Sequence, residues 1–411
     1  MARFFAFNIA TLVLGLVTGA CQPSAKPWST FKLRESGAAA HPSTTTISVV
    51  SRIPDSMEVF WIGPDGSVND THWYEGQPWK AFELAPRESA SATAGISAVS
   101  RRSNTIEVFW IGKDGSVQNA HWYNGSSWQQ YTLAPTGSAS TAAGIAAIST
   151  SPDSIDLFWV SATGALRNAN WENSRGAWTI QDIAFGVAAN SAIAAVNRAG
   201  KAEAFYHRAE TKFVNTTCPE TKQRTVVVNG QTQIETTLEY VPCVQPYISH
   251  FLMAARGGSA GSGWRIEQIG LVGGATPTIG RTDIAAVSRQ PDTVEVFYMT
   301  SAGAVRDAHW YEGSTEWKGF AFTGDGSASA SGGVTAVSRR PETIEVLWVG
   351  SDGSIVNRHW YDGSQWEGFE LAGPNSAAKD ADVTMISRIP ASLESFWIAE
   401  DGAINDSHWY E

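Results

Sequence analysis

Five times along this chain an arginine is followed, six positions on, by a glutamate: Arg52 and Glu58, Arg101 and Glu107, Arg289 and Glu295, Arg339 and Glu345, Arg388 and Glu394. A guanidinium and a carboxylate fixed in that relation can do one of two things. They can tie the mouth of a hairpin as an ion pair, or they can hold donors and acceptors ready for the directional hydrogen bonds of a ligand's hydroxyl groups. Three residues after each glutamate stands an aromatic, Trp61, Trp110, Tyr298, Trp348 or Trp397. Fourteen residues after it stands a His-Trp pair: His72-Trp73, His121-Trp122, His309-Trp310, His359-Trp360 and His408-Trp409. A pyranose has an apolar C–H face that stacks on an aromatic ring and a polar rim that hydrogen-bonds, so tryptophan beside arginine and glutamate suits a sugar. The same tryptophans also read as packing between repeated elements.

Histidine admits two further chemistries. Asp70 and His72, like Asp307 and His309, put a carboxylate and an imidazole on one strand face, an arrangement that can orient a general base. Catalysis needs one assembled site, whereas this set recurs along the chain, and no cluster offers three metal ligands at local spacing. The expectation is therefore several equivalent binding sites, with no catalytic residue and no metal.

The elements that must position these residues come from a repeat. Units open at Ile47, Ile96, Ile145, Ile193, Ile284, Val334 and Val383, spaced by 49, 49, 48, 91, 50 and 49 residues. Self-similarity at such a period marks a repeat architecture, and each unit holds four short runs rich in β-branched and aromatic residues, such as "ISVVSR", "MEVFWIG", "SVNDTHWY" and "WKAFEL" in the first. Asp-Gly pairs at 65–66, 114–115, 352–353 and 401–402 read as two-residue hairpin turns between the second and third runs. Four antiparallel strands repeated seven times describe an all-β, seven-bladed propeller spanning residues 28–411. The last unit stops without its fourth run, and "PWSTFKL" at residues 27–33 matches that missing run, so an N-terminal strand is expected to complete the last blade and remove its open edge.

Two units depart from the pattern. The third keeps Asp156, Trp159 and Trp171 but has Thr150 for the arginine and Asn170 for the histidine; the fourth keeps Arg198, Glu203 and Tyr206 but has no His-Trp pair. The fourth also carries an insertion at about 207–246, read as an extra hairpin turning at Asn229-Gly230 and bracketed by Cys218 and Cys243. In an exported chain such an even pair reads as a disulfide. A partner contact is the functional alternative to a merely decorated loop.

Export is itself a reading of the first twenty residues: an early Arg3, an apolar run, and small residues before Cys21, which is the pattern of a signal peptide over 1–20 with a short linker at 21–27. Secretion is the expectation, with a lipid anchor on Cys21 at a bacterial surface as the alternative. Asn69, Asn124, Asn215 and Asn405 lie in glycosylation sequons that matter only in a host that uses them. With 40 acidic against 29 basic residues, a formal net charge of −11 and no basic cluster, nucleic acid is excluded as an expected partner. Eighteen tryptophans against five methionines suit carbohydrate contact as well as packing.

Phrases such as "IEVFWIGKDGSV" and "IEVLWVGSDGSI", at this period and in seven copies, resemble the seven-bladed propeller lectins of the Photorhabdus type and, more distantly, the fucose lectins of the Aleuria type. The resemblance covers residues 28–411 apart from the insertion. It implies a secreted, multivalent lectin for L-fucose or related, including O-methylated, sugars, bound between adjacent blades without a cofactor, with cell-surface glycans or glycoconjugates as partners. An extracellular protein-interaction scaffold is the rival reading, and a glycan-processing enzyme stands behind it. The family often carries a second aromatic where this chain has His72, His121, His309, His359 and His408.

Overall fold

The computed structural model describes residues 28–40, 47–257, 263–274 and 283–411; the segments read as signal peptide and linker, with Cys21, lie outside them. The described residues form seven sheets of four antiparallel strands each, with no helix among them. This is the element set that the repeat implied, one sheet per unit, and it is that of a β-propeller. The first strands of successive sheets lie against one another, and that of the seventh, Val383–Ile386, lies against that of the first, Ile47–Val50.

Each sheet is buried on both faces at its second strand. In the first sheet this strand is Ser56–Ile62, and every one of its residues is buried. Side chains alternate between faces along a strand. Phe60 and Ile62 accordingly pack with Ile106, Val108 and Trp110 of the second sheet, while Val59 and Trp61 pack with Phe396 and Ile398 of the seventh. The apolar runs are thus glue between sheets. Fourth strands such as Lys80–Ala85 are largely exposed, with burial beginning only at their ends.

The hairpin between second and third strands differs from the two-residue turn expected. Gly63 N donates to Ser67 O at 2.8 Å, which closes a three-residue loop, Pro64-Asp65-Gly66, with Gly66 at φ +76°. Asp65 Oδ1 accepts from the backbone N–H of Ser67. That is a type I turn followed by a left-handed residue, the other turn that an Asp-Gly dipeptide completes. A Cβ on Gly66 would come within 2.8 Å of the Ala90 carbonyl oxygen, so side-chain-free backbone is needed there for packing as well as for φ.

Strand Ser29–Arg34 pairs with Ile404–Tyr410 of the seventh sheet in the register Ser29 with His408 and Thr30 with Ser407, so the N-terminal segment does complete the last unit. In the fourth sheet the insertion is no separate hairpin. The second and third strands simply continue, as Lys201–Val228 and Gln231–Arg256, with unbroken pairing from Glu203 with Arg256 to Val228 with Gln231. Asn229 and Gly230 both take positive φ, 54° and 74°, in the two-residue turn that the sequence signalled. Cys218 and Cys243 are disulfide-bonded near the middle of this ribbon.

Candidate functional site

The recurring polar residues meet at the seams between sheets. Arg52 leaves the end of the first strand of its sheet and lies between two rings: Tyr74 of its own sheet, 5.3 Å from the guanidinium carbon, and Trp122 of the next sheet, at 5.0 Å. Its Nη1 donates to the Ser103 carbonyl of the next sheet at 2.7 Å. The same sandwich recurs as Arg101 with Tyr123 and Trp171, Arg289 with Tyr311 and Trp360, Arg339 with Tyr361 and Trp409, and Arg388 with Tyr410 and Trp73. In the fourth sheet Arg198 and Arg256 both lie over Trp310. Each arginine therefore spans a seam, one sheet supplying it and the next supplying the tryptophan and, for Arg52, Arg101, Arg289, Arg339 and Arg388, a carbonyl acceptor.

The glutamates sit behind this layer. Glu58, Glu107, Glu295, Glu345 and Glu394 are all buried, and each accepts a hydrogen bond from the hydroxyl of the tyrosine that ends the third strand, from 2.5 Å at Tyr410 to 3.0 Å at Tyr74 and Tyr361. A direct arginine–glutamate ion pair forms at Arg198–Glu203, Arg289–Glu295 and Arg388–Glu394. At Arg52, Arg101 and Arg339 the tyrosine stands between the two charges instead. These tyrosines were not singled out in the sequence, although the repeated phrase ends His-Trp-Tyr and so carried the signal.

Burial raises Glu58 from its ordinary 4.5 to about 7, with the nearby Asp70 charge adding to it; burial likewise lifts Glu345 and Glu394 to about 7. The Asp–His pairing expected on one strand face is present: His72 Nδ1 to Asp70 Oδ2 is 2.7 Å, His309 to Asp307 is 2.6 Å, and His408 to Asp406 is 3.1 Å. His121 and His359 turn to Asn119 and Asn357. Hydrogen bonding to Asp70 raises the His72 pKa, while burial beside an amide partner lowers that of His359. In the seventh sheet Glu394, Asp406 and His408 bring their ligand atoms within 4.8 Å of one another, a grouping that cross-strand pairing creates and local spacing could not reveal. Tyr410 and Arg388 already occupy the glutamate, and His408 the aspartate.

The second-strand aromatics go elsewhere. Trp61, Trp110, Trp348 and Trp397 are at most 3% exposed and Tyr298 6%, packed toward the preceding sheet, because an odd offset of three from the glutamate puts them on the opposite strand face. The ring that meets each arginine is thus the third-strand tryptophan of the following sheet. Four of the second-strand indoles donate to a loop carbonyl: Trp61 to Ala38, Trp110 to Ser89, Trp159 to Ser138 and Trp397 to Ser376. Trp348 Nε1 finds no such partner among the described residues and lines a cavity of about 420 Å³ with Ser327, Arg358, Trp366 and Phe369.

Two seams open further. Where Thr150 replaces the arginine, a cavity of about 400 Å³ is lined by Asp153, Asp156, Asn170, Glu172 and Lys201. The next seam holds one of about 660 Å³ with Arg198, Arg256, Glu267, Trp310 and Trp317.

No family model and no curated protein matches this chain. Among solved structures it is similar to the BP39L lectin from Burkholderia pseudomallei, with a TM-score of 0.69 at 19% identity over 90% of this chain and 96% of that one. It is similar also to AofleA from Arthrobotrys oligospora, TM-score 0.51 at 10% identity over 85% and 91%, and to the SapL1 lectin solved with alpha methyl fucoside, 0.51 at 15% over 82% and 99%. At these identities the shared property is the fold, which is the propeller fold that the repeated phrases implied.

Proposed function

We propose that this chain is a secreted carbohydrate-binding protein, a lectin whose seven sheets are the blades of one closed ring and whose seams take fucose or related, including O-methylated, sugars. The observation that carries the reading is where unmet polar groups gather. Buried polar atoms normally have a hydrogen-bond partner. Here Nε of Arg52, Arg101 and Arg339, Oδ1 of Asp70 and Asp307, and Nε1 of Trp348 have none, and all sit at or beside seams lined by Trp and Tyr rings. Donors and acceptors beside half-buried aromatics match a sugar's two faces. The fold shared with BP39L and with SapL1, the latter solved with a fucoside, supports the sugar class. Export follows from the leader-like segment, with anchoring at Cys21 as the alternative. A glycan array probed with the full chain tests this: retention on fucosylated glycans, competed by methyl fucoside, is expected. An array with no glycan above background would overturn the reading, and release of the sugar from a bound glycoside would replace it with an enzymatic one.

A further inference from the structure

The ribbon of the fourth sheet separates its chemistry by face. From Thr211 to Ile248 no strand of the described residues lies on either side, since the sheet's fourth strand pairs only from Ser249 and its first only as far as Tyr206. Side chains of paired residues share a face and alternate along each strand. Phe213 and Val227 therefore lie on one face with Val244, Tyr240, Leu238 and Ile234, the partners of Asn215, Pro219, Thr221 and Thr225. These six are each 60% to 72% exposed. All charged residues of the segment, Lys212, Glu220, Lys222, Arg224, Glu235 and Glu239, fall on the other face, where Lys222 pairs with Glu239 and Arg224 with Glu235. The disulfide lies on that charged face too, with Cys218 beside Val241 and Cys243 beside Thr216.

An isolated two-stranded ribbon is marginal in water, and one whose uncharged face exposes six large apolar side chains is costlier still. We infer that this face docks on the same face of a second copy of the chain, ribbon against ribbon, leaving both charged faces outward. Three features favour this occupant. Strands of this length span roughly 55 Å, and a face two strands wide offers roughly 600 Å² per copy, so two copies bury about 1,200 Å², the lower end of a standard stable interface. Between its apolar residues the face carries Thr217, Thr221, Thr225, Thr232 and Thr236, whose hydroxyls would lack partners in lipid but can bond across to a second ribbon. Pro219 and Pro242 have no N–H to give an added strand, which blocks lateral growth into a barrel or fibre and leaves the face as the route of association.

Sedimentation velocity of the full chain over a concentration series tests this. A monomer–dimer equilibrium is expected, with the dissociation constant rising more than tenfold in Ile234→Lys/Leu238→Lys and unchanged in Thr237→Lys on the charged face. Because these side chains lie off the body, unaltered melting of the seven sheets will show that each variant is folded. A wild-type chain that stays monomeric at its highest soluble concentration overturns the proposal, as does a dimer indifferent to the lysine pair. Flotation with phosphatidylcholine vesicles, abolished by the same pair, would assign the face to a bilayer instead and overturn it equally.

Discussion

At the scale of single residues, the arginine is the member of each set whose role the geometry changes most. Arg339 bonds the Pro390 carbonyl of the next sheet at 3.0 Å and lies over Tyr361 and Trp409, so it fastens two sheets as well as lining a seam. Arg339→Ala is expected to cost about 1–2 kcal/mol of stability and to remove about one sugar site per chain in a calorimetric titration. Arg339→Lys keeps the charge but not the planar fork, and should lose the site while recovering only part of the stability. An unchanged number of sites in both variants would make the arginine a fastener alone. Glu58 gives a pH prediction. Its carboxyl, lifted to about 7 by burial and then by Asp70, keeps a proton in the folded state that the unfolded chain releases near its ordinary 4.5. Raising the pH from there to about 7 therefore favours unfolding, and His72, whose pKa is raised by Asp70, pulls the same way. Glu58→Gln should leave melting at pH 5 unchanged and raise it at pH 8, by on the order of 1–3 kcal/mol in stability; equal shifts at both pH values would refute the assignment. The Asp–His pairs were legible because both partners sit on one strand two residues apart. The Arg–Trp contacts were not, since each joins residues of different units, and strand alternation alone cannot say which neighbour faces which.

At the scale of elements, period-two runs of β-branched and aromatic residues announced all four strands of each unit, and Asn229-Gly230 announced its turn. The Asp-Gly turns misled by one residue because that dipeptide closes both the two-residue and the three-residue hairpin. The length of the ribbon was hidden for a different reason: Pro219 and Pro242 interrupt what reads as strand, although outer edges tolerate proline. Its disulfide ties residues far from any sheet core, so Cys218→Ser/Cys243→Ser should leave the melting of the body within about 0.5 kcal/mol of wild type. Limited proteolysis should then cut first between residues 211 and 248. Substantial loss of body stability would mean that the ribbon folds as part of the sheets. Strand Ser29–Arg34 is the opposite case. Removing residues 28–34 uncovers the edge of Ile404–Tyr410, and lower melting with light scattering that grows with concentration is expected.

At the scale of the whole molecule, six of seven seams carry an arginine over a tryptophan of the following sheet, so the sites should behave as near copies. Each is expected to be weak toward a free monosaccharide, which has few atoms to spend, and avidity to appear only on a surface that presents many. Titration with methyl fucoside giving one tight site per chain would contradict this. The seven-fold count came directly from the repeat, whereas the third seam, with Thr150 and its polar cavity, shows only in three dimensions what the loss of one arginine opens. The pairing of Thr30 with Ser407, 377 positions apart, also has a consequence in time. On a ribosome strand Ser29–Arg34 must wait, unpaired, for Ile404–Tyr410, and the sheets between them in sequence can form before the seventh is whole. Such distant pairing closes slowly. The edge left open meanwhile is the place where a nascent chain would pair with the wrong neighbour.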